Sequence, residues 1–343
     1  MPGPITDPQP AQHELASSGK PCRAIDFPPP PVHTPPVHPL PVAASPSLVV
    51  PSSPALSSVP VSAAAVSPSA TPAPVTPPRP IRVLYLFSGR ERRTDVGTYI
   101  RQLSLEAGLE VTVEEVDICK GDGNNLLDDA VWFPYLVRLR AGGYDLAIIT
   151  PPCNTFSRAQ LNKGKGPPPL RSRNHPWGFP WISGPRKEKL DAANSLVRRS
   201  FAALEGAGLS KTPWLLEFPE DLGKHRGMTP ASIWQLPELQ QIAKDQGARR
   251  VAIHQYYYGA PFPKPTGILA TLDIPEDFGV KGWPVISPQG QYMGPLTRIS
   301  APPMKLGAKN TAPTAEYPAL LARTLAEMAV RTLLKRLLGS PHP

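Results

Sequence analysis

Cysteine is scarce in this chain, with three among 343 residues. Cys22, Cys119 and Cys153 are too scattered for a disulfide framework, and no Cys-x-x-Cys pair offers a zinc ligand set. No metal site is expected, and the thiols suit a reducing compartment. Long apolar runs are missing as well. None approaches the roughly 20 residues of a membrane span, and the N-terminus shows no apolar signal-peptide core. A secreted, disulfide-stapled or membrane-spanning protein is not expected, which leaves the compartment open between nucleus and cytoplasm. Aromatic residues are few, at 7%, and they are almost absent from the first 79 positions.

Proline is plentiful, with 49 residues, and about half of them precede Arg82. Stretches such as "PPPPVHTPPVHPLPV" and "SPSATPAPVTPP" have no sustained helical period, so residues 1–79 read as a disordered, proline-rich leader. Within that leader Lys20, Arg23 and Arg79 cancel Asp7, Glu14 and Asp26. The formal net charge of +9 therefore belongs to the rest of the chain, where residues 80–340 are expected to form one folded domain. Such an excess suits a polyanion binder, and equally a merely soluble basic protein.

From Ile81 the texture changes. "IRVLYLF", "LEVTVEEVDI", "YDLAIIT" and "PWLLEF" are short apolar runs that read as strands, separated by segments with helical spacing. "ARRVAIHQYYYG" and "PTGILATL" read as a final strand pair. The last segment is an amphipathic helix with Tyr317, Leu321, Leu325, Met328 and Leu333 on one face. Alternating strands and helices predict a Rossmann-like α/β fold: a doubly wound, mostly parallel sheet with an antiparallel edge. In such sheets ligands bind beyond the carboxyl ends of the strands, and every unusual polar cluster here falls at one of those ends.

Cys153 sits in "TPPCNTFSRA", directly after a predicted strand. Two prolines deny that segment regular pairing and present the thiol, and Arg158 nearby would favour the thiolate, as a nucleophile needs. A small apolar filler at a strand end is the competing reading. Glu217 ends the apolar "WLLEF", where a desolvated carboxyl could hold a proton near neutral pH and act as a general acid, or pair with a basic side chain. Glu115 and Asp117 close the second strand, where an acid commonly accepts hydrogen bonds from a ribose. The insert "NKGKGPPPLRSRNHPWGFPW" interleaves basic and aromatic residues, as a phosphate-gripping loop would. It could instead be a surface loop with Trp177 and Trp181 tucked against the core.

"LFSG", "EVD", "PPCNTFS", "LLEFPEDL" and "YYYGAPFPKPT" occur in the order and approximate spacing of cytosine-5 DNA methyltransferases. The chain resembles that family over nearly all of residues 81–343, most of all its divergent phage and mobile-element members. The resemblance implies S-adenosylmethionine as cofactor and DNA as partner, with RNA also compatible, a monomer and no membrane. It implies that Cys153 attacks cytosine C6 and that Glu217 binds N3 and the exocyclic nitrogen. Phe218 stands where an asparagine is usual, and Lys264 stands where the family has an arginine pair. The cofactor would meet Phe87, Ser88, Gly89, Glu115, Asp117, Asn125 and Pro151, with Glu115 rather than Asp117 as the ribose ligand. Nucleic acid would meet Ser157, Arg158, Lys163, Lys165, Arg171 and Arg173. One departure stands out: "FSGRERRTDVG" keeps a single early glycine before a charged run, where the family has a glycine-rich turn. The sequence therefore also supports a methyltransferase fold that binds nucleic acid or protein without catalysis. A Rossmann enzyme using another nucleotide is the third reading, and Pro-Pro-Cys speaks against it.

Overall fold

The structure, a computed structural model, describes residues 80–161, 168–297 and 316–339. The predicted leader, residues 1–79, lies outside them, as do Lys163 and Lys165.

Four strands run parallel in the order β2 (Val111–Val116), β1 (Ile81–Leu86), β3 (Leu146–Ile149), β4 (Trp214–Pro219). The sheet continues through β6 (Pro265–Ala270), β5 (Arg249–His254) and β7 (Val280–Lys281), each antiparallel to its neighbour. The final strand pair is antiparallel, as expected, but β6 is not an edge. It is inserted between β4 and β5, and the two-residue β7 closes the sheet instead. A small hairpin of β8 (Val285–Ile286) and β9 (Tyr292–Gly294) stands apart from the main sheet.

Side-chain alternation along each strand sorts residues to opposite faces. Leu84, Leu86, Ala147, Ile149, Leu216 and Phe218 pack under α2 (Asp129–Arg140), α3 (Pro185–Leu209) and α4 (Pro237–Asp245). Val83, Tyr85, Ile148, Leu215, Ile253 and Ile268 pack under α1 (Val96–Glu106) and α5 (Ala319–Gly339). Helices thus cover both faces of a mostly parallel sheet, an α/β architecture compatible with the Rossmann-like class. Among the described residues no helix is long and apolar enough to cross a membrane.

The direction of β6 brings a cation to the carboxyl edge. Because it runs against β4, its first residues arrive at the same sheet edge as the last residues of β4. Lys264, just before β6, is thereby carried to the edge that already holds Glu217 and the loop after β3. Its backbone lies in the left-handed region, with φ 34°. A lysine there is strained by roughly 1–3 kcal/mol, a cost the surrounding structure must overcome.

Candidate active site at the carboxyl edge of the sheet

The loop after β3 is built to hold a turn. Thr150 donates its hydroxyl to the Phe87 carbonyl at 2.9 Å, and the Phe156 amide closes back onto the Cys153 carbonyl at 2.9 Å. The Phe156 ring meets Phe218 edge-on at 5.3 Å, on the far face of β4 from Glu217. Phe218 is buried and supports the cysteine loop from beneath by apolar contact.

Cys153, Glu217 and Lys264, predicted from separate motifs, share one electrostatic neighbourhood. Each keeps a rim of accessible surface, yet desolvation is the largest influence on all three. Burial, followed by the Glu217 charge, pushes the Cys153 thiol up to about 11, and the Lys264 ammonium pulls it partly back. Burial raises the Glu217 carboxyl, against the opposing pull of Lys264 and a hydrogen bond from Tyr317. Burial lowers Lys264, and the Glu217 charge is the main influence opposing that shift. The thiol is therefore neutral at physiological pH in the resting protein, and its ionisation depends on the charge that Glu217 carries.

That dependence predicts an alkylation experiment. Modification of Cys153, followed by peptide mapping to separate it from Cys119 and Cys22, should quicken about tenfold per pH unit towards pH 11. Glu217→Gln removes the anion and should speed the reaction at pH 8, whereas Lys264→Met should slow it. Equal rates in all three proteins would show that the groups do not face one another.

One member of this site is not where the sequence pattern puts it. The helical stripe includes Tyr317, but α5 begins at Ala319. The Tyr317 ring packs on the core beside α5, its hydroxyl donates to Glu217, and Lys264 Nζ lies 5.5 Å from its ring centre. Preceding Tyr317, Glu316 pairs with Arg92 at 3.0 Å. The charged run after β1 therefore finds a carboxylate. The same run is shaped by Asp95, the α1 cap, which accepts from the Arg92 and Thr98 amides at 2.7 Å each.

The residues assigned to S-adenosylmethionine divide into two sets. Phe87 and Gly89 take left-handed backbone, with φ 63° and 72°, directly beyond β1. Among the described residues the buried Ser88 hydroxyl has no hydrogen-bond partner, and beyond its chain neighbours no atom lies within 4 Å of where a Gly89 side chain would begin. Asp117 joins them by accepting from the Gly89 amide at 2.9 Å, and Pro151 is buried at the start of the cysteine loop. A polar ligand would satisfy Ser88, so these residues fit the group. Glu115 does not. It faces α1, where Arg101 holds it at 2.5 Å and Lys120 at 3.1 Å. It also lies so close to α1 that a side chain at Gly97 would begin 2.2 Å from its oxygen. The acid beside Gly89 is Asp117, whose other oxygen accepts from the Cys119 amide at 2.7 Å, whereas Glu115, preferred from the sequence as the ribose ligand, lies against α1. Asn125 is also committed elsewhere, accepting from the Leu127 amide at 3.0 Å.

The nucleic-acid candidates divide too. Arg171 is 2% exposed and is a strut rather than a surface cation. It donates to Thr155 Oγ1 at 2.9 Å, Asn194 Oδ1 at 3.0 Å and the Pro176 carbonyl at 2.8 Å, and it lies 3.9 Å from the Phe156 ring centre. Burial without a carboxylate lowers its guanidinium to about 9. Ser157 and Arg158 stay partly exposed, and Arg158 reaches the Lys224 carbonyl at 3.4 Å. Arg173 is partly exposed and pairs at 2.9 Å with Asp221, whose side chain is fully buried. No family model and no curated protein matches the sequence.

Proposed function

We propose that this protein is a cytosine-5 methyltransferase-type protein acting on DNA, with Cys153 as nucleophile. The observation that carries this reading is the mutual electrostatic influence of Cys153, Glu217 and Lys264, which come from three separate segments at one sheet edge. A pyrimidine ring has to meet a thiolate at one atom and a carboxyl at another simultaneously, so those two groups must converge.

The residues suggest how the thiol is activated. In the resting state the Glu217 charge opposes ionisation of Cys153. A base that shares a proton with Glu217 through N3 and its exocyclic amine neutralises that opposition, while Lys264 continues to favour the thiolate. Cys153 becomes nucleophilic once the base is seated. Its sulfur then forms a bond to C6, the C5–C6 π electrons move into the ring, and hydrogen bonding at N3 spreads the resulting charge. S-adenosylmethionine, when bound, supplies the electrophilic methyl group for C5. The C5 proton then passes to solvent, and the C5–H electrons re-form the C5–C6 double bond as the C6–S bond breaks and returns the Cys153 thiolate. The base must leave its stack to reach the pocket.

A second reading, a nucleic-acid- or protein-binding module that transfers nothing, is favoured by the ion pairs that commit Glu115 to Arg101 and Lys120. Calorimetry with S-adenosylmethionine separates the two. Measurable binding that weakens on Asp117→Ala and is untouched by Asn125→Ala is expected for the first. No heat at any concentration up to the millimolar range removes it.

A further inference from the structure

The insert after the cysteine loop is a built unit with its own small core. Leu170, Ile182 and Leu190 are buried together, with Phe179 packed against them. Backbone bonds from Phe179 to Leu170, from Gly178 to His175 and between Ser172 and His175 fold residues 170–182 into a knob. Arg171 fastens this knob to Thr155, two residues from Cys153. Trp177 lies inward against the main core. Trp181 does not: it is 70% exposed.

That exposure is organised. The Trp181 ring stacks on Phe179 at 4.7 Å with 12° between planes, and the His175 ring abuts it at 6.0 Å. One large aromatic face is thus held rigid from behind and left to solvent in front. A ring held in this way offers its outer face for another flat ring to stack upon. Cations lie on the segment bonded to the knob. His175 closes the turn that carries Arg173, whose amide bonds the Thr229 carbonyl at 3.0 Å and so joins the knob to the loop of Lys224 and Arg226. Lys224 and Arg226 are exposed, and Asp221, the acid among them, is buried beneath Arg173.

We infer that this knob is a stacking platform for an unpaired base, and that the protein engages single-stranded rather than fully paired nucleic acid. A duplex hides its base faces in the stack, whereas a single strand offers one at every nucleotide to an aromatic ring flanked by phosphate-binding cations. The inference rests on the proposed binding of nucleic acid, but not on methyl transfer.

Binding of the full chain to a thymidine homopolymer and to its duplex with an adenosine homopolymer, each across a salt series, tests it. Trp181→Ala should weaken single-strand binding roughly 5- to 150-fold, the range measured for losing one base–aromatic stack, and leave duplex binding unchanged. Trp181→Phe, which keeps a ring, should recover most of the loss. Arg226→Gln should weaken both ligands and lower the salt slope by about one phosphate contact. Trp181 contributes little to the core, so its removal leaves the fold intact. Equal losses on both ligands, or none on the single strand, overturn the platform. The methyltransferase reading fails separately, through absent S-adenosylmethionine binding in calorimetry.

Discussion

Cys153→Ala is expected to abolish methyl transfer to cytosine-containing DNA while leaving S-adenosylmethionine affinity within about twofold of the unmodified protein. The residues that fit the cofactor, Ser88, Gly89 and Asp117, gather beyond β1 and β2, whereas Cys153 lies beyond β3. Deleting the thiol removes the atom that must bond to the ring, and no neighbouring group replaces it. Tyr317 and Tyr85 are held neutral, both pushed upward first by burial, and burial lowers Lys264 against the opposing charge of Glu217. Glu217→Gln should act differently. It cannot share a proton with the ring, so transfer should fall by roughly 10²-fold or more, as for loss of a positioned acid. Alkylation of Cys153 should nonetheless quicken in the same variant, because the opposing charge is gone. Opposite signs in two assays on one variant are difficult to obtain from misfolding. Transfer by Cys153→Ala within tenfold of the starting rate would dismiss the nucleophile.

The sheet is legible in the sequence because buried parallel strands are short apolar runs, and β1, β3 and β4 have no competing periodicity. The carboxyl-edge rule then gathers Cys153 and Glu217 from motifs far apart in sequence. The insertion of β6 between β4 and β5 is not legible, since local pattern fixes a strand's faces and not its neighbours. Glu115 and Asp117 share strand parity, but Asp117 lies beyond the strand's end and turns back to Gly89. Glu115 instead meets Arg101, a pairing that depends on which face α1 presents. Arg171 reads as surface charge because it stands in a basic run. Its partners Thr155 and Asn194 come from a loop and a helix that only the tertiary fold brings near. Tyr317 lies four residues before Leu321 and so continues the helical stripe on paper, although the chain enters the helix later.

Removing either side of the Glu220–Arg250 pair is expected to cost about 3–5 kcal/mol of stability, the range for an uncompensated buried charge. Both side chains are 0% exposed and in direct contact. The guanidinium also donates to the Gly282 carbonyl at 2.7 Å and lies 4.3 Å from the Trp234 ring centre and 5.6 Å from that of Trp283, two rings set edge to face. On the other side Glu220 accepts from the Tyr292 hydroxyl at 3.0 Å, which in turn receives the Leu296 amide at 2.9 Å. These bonds tie the β8–β9 hairpin and its flanking turns to the main sheet. Space for the pair is reserved in β6, where a side chain at Gly267 would begin 2.5 Å from the guanidinium and 2.8 Å from the Trp234 ring. Burial pushes Glu220 up and Arg250 down, and their mutual attraction opposes both shifts. Glu220→Ala leaves a buried cation without its partner, and Arg250→Ala leaves an anion beside a void next to the Trp234 ring. Replacing both, as Glu220→Leu with Arg250→Met, removes both charges and refills the volume, so it should cost markedly less than the two single changes summed. Urea unfolding of the four proteins decides the matter. Single variants that lose under about 1 kcal/mol, or a double variant that loses the full sum, would show that the pair is solvated and that the hairpin is held by something else.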